Sequence, residues 1–178
     1  RKNIKIKCPV LHFYPYCLKD FFVPMNKNKI SKKDGEIHIV FVGHVSGDSS
    51  FLEEVKELIY TGVNIHLYGK TANVKKEDSY NHLLKSDYND LIKSKYLHLH
   101  DQLNQNDLNK EISKYDFGFW FGYHDSDIKT VTWAMGNKMS TYFEAGIPFF
   151  YFKNVVTLSR LMKAYGIDLG VNFDELGG

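Results

Sequence analysis

Cysteine is nearly absent: Cys8 and Cys17 are the only two in 178 residues, and Pro9 and Pro15 lie between them. A disulfide framework or a four-ligand zinc site is thereby excluded, and a reducing, cytoplasmic setting fits. No apolar run approaches the roughly 20 residues needed to span a bilayer, and the N-terminus lacks the apolar core of a signal peptide. Peripheral association with a membrane surface stays open. Charge of either sign is also scarce in excess. The formal net charge is +2, and no Lys/Arg stretch interleaves with aromatics, so nucleic acid is not an expected partner.

Two nucleotide motifs are missing as well. After the first apolar strand, Gly43-His-Val-Ser-Gly47 lacks both the glycines and the spacing of a dinucleotide fingerprint. No Gly-Lys-Ser/Thr follows it, and Gly69-Lys70-Thr71 has that tripeptide without its upstream glycine, so a P-loop is excluded. No internal repeat is visible.

What is present is a core-forming composition, 43% hydrophobic and 25% charged, ordinary for one globular domain. Three of the four prolines fall in the first 36 residues, which read as an extended lead-in and a solvated Lys/Asn-rich linker closing at Gly35. The lead-in aromatics, Phe13, Tyr14, Tyr16, Phe21 and Phe22, read as core or inter-domain contacts rather than ligand platforms. The domain proper runs over 37–178. Strands are expected at Ile37 to Val42, Val63 to Tyr68, Tyr96 to His100, Asp116 to Phe121, Ile147 to Phe152 and Ile167 to Val171. Helices alternate with them at 49–61, Asn104 to Ser113, 137–145 and Val155 to Tyr165, with shorter pieces near Tyr80 to Leu84 and Tyr88 to Ile92. The expected fold is α/β, a Rossmann-like parallel sheet of about six strands with helices on both faces.

In such sheets ligands bind beyond the carboxyl ends of the strands. Those ends are Gly43-His44, Gly69-Lys70, Asp101-Gln102, Gly122-Tyr123 and Lys153-Asn154, and the loop from Gly122 to Gly136 is long enough to imply a function. The organising stretch is Gly136 to Phe152. Asn137 is placed to cap a helix whose buried positions are Met139, Tyr142, Phe143 and Gly146; Gly146 stops it, and Pro148 opens an aromatic strand. Lys138 puts a cation in the first turn, where a phosphate would neutralise it. His44 and Lys70 face the same crevice from two strand ends. Asp125-Ser126-Asp127 could chelate a divalent ion but reads better as a solvated loop. His98 and His100 share a strand face without an evident third ligand, and read as satisfied sheet histidines.

The run Asn137-Lys138-Met139-Ser140-Thr141-Tyr142-Phe143-Glu144-Ala145-Gly146-Ile147-Pro148 resembles the signature of GT-B fold glycosyltransferases. The resemblance extends from Ile37 to about Leu176, and is similar in order to bacterial enzymes that extend glycans on serine-rich adhesins and to galactofuranosyltransferase-like proteins. It implies the donor-binding half of an enzyme that moves a hexose from a nucleotide diphosphate sugar, a UDP-sugar being the expected donor, without a metal. It implies Gly43 and His44 against the diphosphate, Lys70 near it, Asp101, Gln102 and Leu103 beside the base through backbone groups, and Lys138 on the diphosphate, with Gly69 and Asn137 also among the donor-binding residues. Thr141 stands where many relatives place a ribose-binding glutamate. The catalytic base and the glycan or glycoprotein acceptor would belong to a domain that precedes this one. The chain opens on Arg1 and closes on Gly177-Gly178, so a piece of a longer enzyme, inactive alone, is expected. Two rivals share the architecture: a nucleotide-sugar epimerase, for which Glu144 is the one acid in the signature, and a binding module without catalysis.

Overall fold

The computed structural model describes residues 16–43, 49–69, 91, 93–120 and 137–172, with the backbone alone for 49–54. Six strands form one parallel sheet: β1 (His38–Val42), β2 (Asn64–Tyr68), β3 (Leu97–His100), β4 (Phe117–Trp120), β5 (Phe149–Phe152) and β6 (Gly170–Val171). Their spatial order is β3-β2-β1-β4-β5-β6, so the direction of winding reverses between β1 and β4. That is the dinucleotide-fold order, and it puts a crevice at the carboxyl ends of those two strands. The described helices are α1 (Ser31–Asp34), α2 (Ser49–Tyr60), α3 (Gln105–Ile112), α4 (Lys138–Glu144) and α5 (Val156–Ala164).

The core follows from strand composition. β1, β2, β4 and β5 are covered on both faces, and Val40, Ile65, Phe149 and Tyr151 are fully buried. From α2, Val55, Leu58 and Ile59 pack inward as their spacing predicts; Phe51 and Leu52 of the same stripe lie outside the described side chains. Gly146 stops α4 at φ 64°, while Gly146 N–H donates to Phe143 O and Ile147 N–H to Tyr142 O. This 5→2 and 6→1 pair is the Schellman stop that the glycine position predicts.

Two expectations, the cap of α4 and the length of the last strand, need correction. Asn137 does not cap α4: it already has helical angles, φ −59° and ψ −21°, and its side chain accepts no cap hydrogen bond. The stretch after Asn26 is largely exposed, in keeping with a solvated segment, and its backbone is also tied to the domain. Lys29 Nζ donates to Ser113 O and Tyr115 O, Ile30 N–H donates to Lys114 O, and α1 follows, so exposed side chains sit on a backbone tied to the α3–β4 turn. The last strand is two residues, because among the described residues after α5 only Gly170 and Val171 pair with β5. Of the lead-in aromatics that are described, Phe21 is half-buried, whereas Tyr16 and Phe22 are 74% and 53% exposed, so of the two readings, core or inter-domain contact, these two do not take the first. Phe13 and Tyr14, the pieces near 80–92 apart from Leu91, and the Gly122 to Gly136 loop lie outside the described residues.

Candidate functional site

The crevice begins where the β1–β4 ladder ends. Those strands pair at Ile39 with Phe117 and Val40 with Gly118, then separate. Tyr142 of α4, fully buried, fills the gap: its hydroxyl accepts from Val42 N–H at 3.2 Å and donates to Phe119 O at 2.9 Å. One phenol thus satisfies a donor and an acceptor that a sheet would otherwise have paired. Gly118 makes room for the ring, since a Cβ there would lie 2.7 Å from Tyr142 Cδ1. Burial raises the Tyr142 pKa above the ordinary phenol range, so the hydroxyl stays protonated as a donor.

Lys138 opens α4 and reaches across the end of β1. Its ammonium lies 3.8 Å from the Phe41 ring centroid, and its Cε would be 2.6 Å from a Cβ on Gly43. Gly43 therefore cannot carry a side chain while Lys138 holds this pose, and its φ of 131° independently favours glycine. Gly69, at the end of β2, is equally close, because a Cβ there would meet Gly43 O at 2.7 Å. The two glycines leave bare backbone at the crevice floor. Burial lowers the Lys138 pKa to about 8, and among the described residues no carboxylate pairs with its ammonium. A partly desolvated cation that rests, among the described residues, on an aromatic face is an attractor for an anion.

Beyond β2 and β3 lies a cavity of about 560 Å³ walled by Tyr68, His100, Asp101, Leu103, Lys110 and Glu111. Strand spacing of about 4.8 Å puts the β3 end roughly 10 Å from the β1 end, across one strand. Asp101 and Leu103 belong to the cavity wall, as their place after β3 suggests; Gln102 is exposed and does not line it. Tyr68 anchors the wall, donating to Glu111 Oε1 at 3.0 Å while its ring stacks on His100 at 4.3 Å.

Thr141 turns toward α3. Its hydroxyl accepts from Gln105 Nε2 at 3.3 Å, and the same amide donates to Asn109 Oδ1 at 2.8 Å. Glu144 lies further from the crevice: Leu18 N–H donates to its Oε1 at 2.8 Å and Asn109 Nδ2 to its Oε2 at 3.1 Å. The one acid in the signature is therefore a buried anchor for the lead-in, and it does not face the crevice. His98 and His100 behave as sheet histidines, with Asn64 Oδ1 and His66 Nδ1 each at 2.9 Å. Among the described residues no group of three His, Cys, Asp or Glu could hold a metal ion, and no helix is long and apolar enough to cross a membrane. His44, Lys70 and Asp125-Ser126-Asp127 lie outside the described residues.

The structure thus brings Gly43, Gly69 and Lys138 together, and places Asp101 and Leu103 across the sheet from them. Phe41, Gly118, Tyr68 and Glu111 went unrecognised in the sequence. A signal existed for Gly118 alone, since glycine inside a strand marks close approach of another group. Phe41 looks like any core aromatic until Lys138 is laid over it. Compared with protein-family models and with curated proteins, the chain matches none.

Proposed function

We propose that the chain is the nucleotide-sugar-binding half of a GT-B-type glycosyltransferase that moves a hexose from a nucleotide diphosphate sugar, with a UDP-sugar as donor, to a glycan or glycoprotein acceptor. The observation that carries this reading is Lys138, a half-buried ammonium without a carboxylate partner among the described residues, at the point where the sheet reverses its winding. The diphosphate would lie on Lys138 and the bare backbone of Gly43 and Gly69. The nucleoside would run across β2 toward the wall of Asp101 and Leu103, a span of roughly 10 Å. In the transfer an acceptor oxygen bonds the anomeric carbon as the bond to the β-phosphate oxygen breaks. Negative charge then collects on the departing nucleoside diphosphate, and an ammonium already in place stabilises it without reorganisation. The acceptor's proton goes to a base outside this chain.

Glu144 argues against the epimerase reading, because its carboxylate is held by Leu18 and Asn109. A binding module without catalysis would use the same crevice and differ only in turnover.

Calorimetric titration with UDP, GDP and ADP, beside Lys138→Ala and a phosphate control, tests the reading. Micromolar binding of one nucleotide, weakened at least tenfold in Lys138→Ala, is expected; equal affinity in the variant removes Lys138 from the site. Because the Lys138 pKa is lowered to about 8 by burial, the unliganded ammonium loses its proton as pH rises through that value. Affinity should be flat below pH 7 and fall by about tenfold per pH unit above roughly 8.

A further inference from the structure

α4 carries its charges at the ends where a helix favours them least. Lys138 stands in the first turn, at the positive end of the backbone dipole, and Glu144 is the last residue, at the negative end. Six steps of about 1.5 Å put roughly 9 Å between them along the axis. The cation faces the crevice. The carboxylate faces the lead-in. Glu144 is 3% exposed, and no cation pairs with it among the described residues. Neutral donors gather on it instead: Leu18 N–H donates to Oε1 at 2.8 Å, Asn109 Nδ2 to Oε2 at 3.1 Å, and Val23 N–H to the Glu144 carbonyl at 2.8 Å. Both side-chain oxygens accept, as those of an ionised carboxylate do. Asn109, itself fully buried, divides its two amide hydrogens between Glu144 Oε2 and Phe21 O. Residues 18–23 thus form a strap around the end of α4, and Cys17 Sγ adds a contact of 3.8 Å to Ser140 O, one turn back.

Burying a carboxylate among neutral donors is costly, and apolar contact could pin a strap at less cost. What the carboxylate adds is geometry, because it is satisfied only when Leu18 N–H and Asn109 Nδ2 arrive together. The same network runs back toward the crevice. Asn109 Oδ1 accepts from Gln105 Nε2 at 2.8 Å, and that amide also donates to Thr141 Oγ1 at 3.3 Å, three residues from Lys138. The start of α4 has no cap of its own, since the Asn137 side chain accepts no cap hydrogen bond. Its middle is held to β1 and β4 by the Tyr142 hydroxyl, and its far end by the strap. The direction in which Lys138 leaves the helix is therefore fixed from behind.

We propose that Glu144 is a positioning residue: by clamping the strap of residues 18–23 to the end of α4 it holds the helix in the pose that lays Lys138 over Phe41 and Gly43, so that seating of the strap and binding in the crevice favour each other. Glu144 itself touches no reacting group. The mutual effect on binding rests on the reading of the crevice as a diphosphate site; the clamp and the pose of Lys138 do not. Linkage makes the effect reciprocal, since whatever factor the seated strap adds to affinity in the crevice, an occupied crevice adds to seating of the strap. Strap and crevice are connected by hydrogen bonds at every step, from Leu18 through Glu144, Asn109 and Gln105 to Thr141.

The test is made on the whole chain. Without ligand, lysine ¹³Cε–¹H spectra should show Lys138, identified by its loss in Lys138→Met, displaced upfield of the other lysines by the ring current of Phe41, whose centroid lies 3.8 Å from the ammonium. Glu144→Gln keeps the side-chain length but offers one acceptor where the carboxylate offers two, and in it the displacement should fall below about half. Loss of a charge roughly 9 Å away along the helix does not by itself produce this, because a ring current depends on position. An undisplaced Lys138 in the parent, or an equal displacement in the variant, overturns the proposal. Should Glu144→Gln fail to fold, Leu18→Pro takes its place: it removes the N–H that Oε1 accepts, keeps the Glu144 charge, and suits the extended backbone there, φ −92° and ψ 128°. With the nucleotide diphosphate that calorimetry selects, hydrogen exchange of the Leu18 and Val23 amides should slow on binding, and affinity in the variant should drop by at least about fivefold. Unchanged exchange and affinity overturn the coupling. If no nucleotide binds the parent, the diphosphate reading falls, and the displacement of Lys138 in the variant still upholds or overturns the clamp.

Discussion

The two halves of the sheet are built from different materials. On the β1–β3 side the buried face is polar, a chain of imidazoles, phenols and carboxylates joined by hydrogen bonds, with a cavity at its edge. On the β4–β6 side the core is aromatic, with Phe119, Phe149 and Phe152 all buried and Phe150 packed beside them. An apolar ring contributes by contact area and shape at any pH, whereas an imidazole contributes only in the right protonation state. The β4–β6 half should thus be sensitive to lost volume and the β1–β3 half to added protons.

The largest effect should come from the aromatic half. Phe149 is fully buried against the rings of Tyr142 and Phe143 at 5.4 Å, so Phe149→Ala should cost about 3–5 kcal/mol, measured by denaturant unfolding. The loss should be the same at pH 7 and pH 5. A loss that varied with pH would break the comparison. Next comes acid on the unmodified protein. His66, neutral in the fold down to about pH 2 and protonated near 6.5 when unfolded, makes the unfolded state bind more protons between those values. Stability is then complete above pH 6.5 and falls by about 1.4 kcal/mol per pH unit below it, and His66→Phe should flatten that slope in equilibrium unfolding.

At the boundary between the halves, Tyr142→Phe leaves the ring volume intact and strips Val42 N–H and Phe119 O of their shared partner. It should cost about 1–2 kcal/mol, with no pH dependence near neutrality. Tyr142→Phe as stable as the parent would mean that water replaces the hydroxyl. The smallest expected change has the opposite sign. Lys138→Met removes a desolvated charge and keeps the apolar stem over Phe41, so it should raise stability at pH 7 by about 1 kcal/mol while abolishing nucleotide binding. A destabilised variant would show that Lys138 serves the fold.

Local order was legible from the residues. The strands at 38–42, 64–68, 97–100, 117–120 and 149–152 and the stop at Gly146 lie where the apolar runs and glycines indicate, since periodicity and a left-handed stop depend on neighbours within one or two turns. The place of Lys138 at the crevice was legible for the same reason: chain order puts it after a strand end and at a helix start. What only the tertiary structure decided is the strand order, and with it every meeting across strands. His38, His66 and His100 are separated by 28 and 34 residues, and only the β1–β2 and β2–β3 registers bring their nitrogens to 2.9 Å. Glu144 reads as a polar position on a helix, yet it is 3% exposed because Leu18 and Asn109 approach it from distant segments. A residue's type sets which bonds it can make. Whether it makes them depends on which remote segment the close-packed core brings within 3 Å, and short-range pattern carries no record of that.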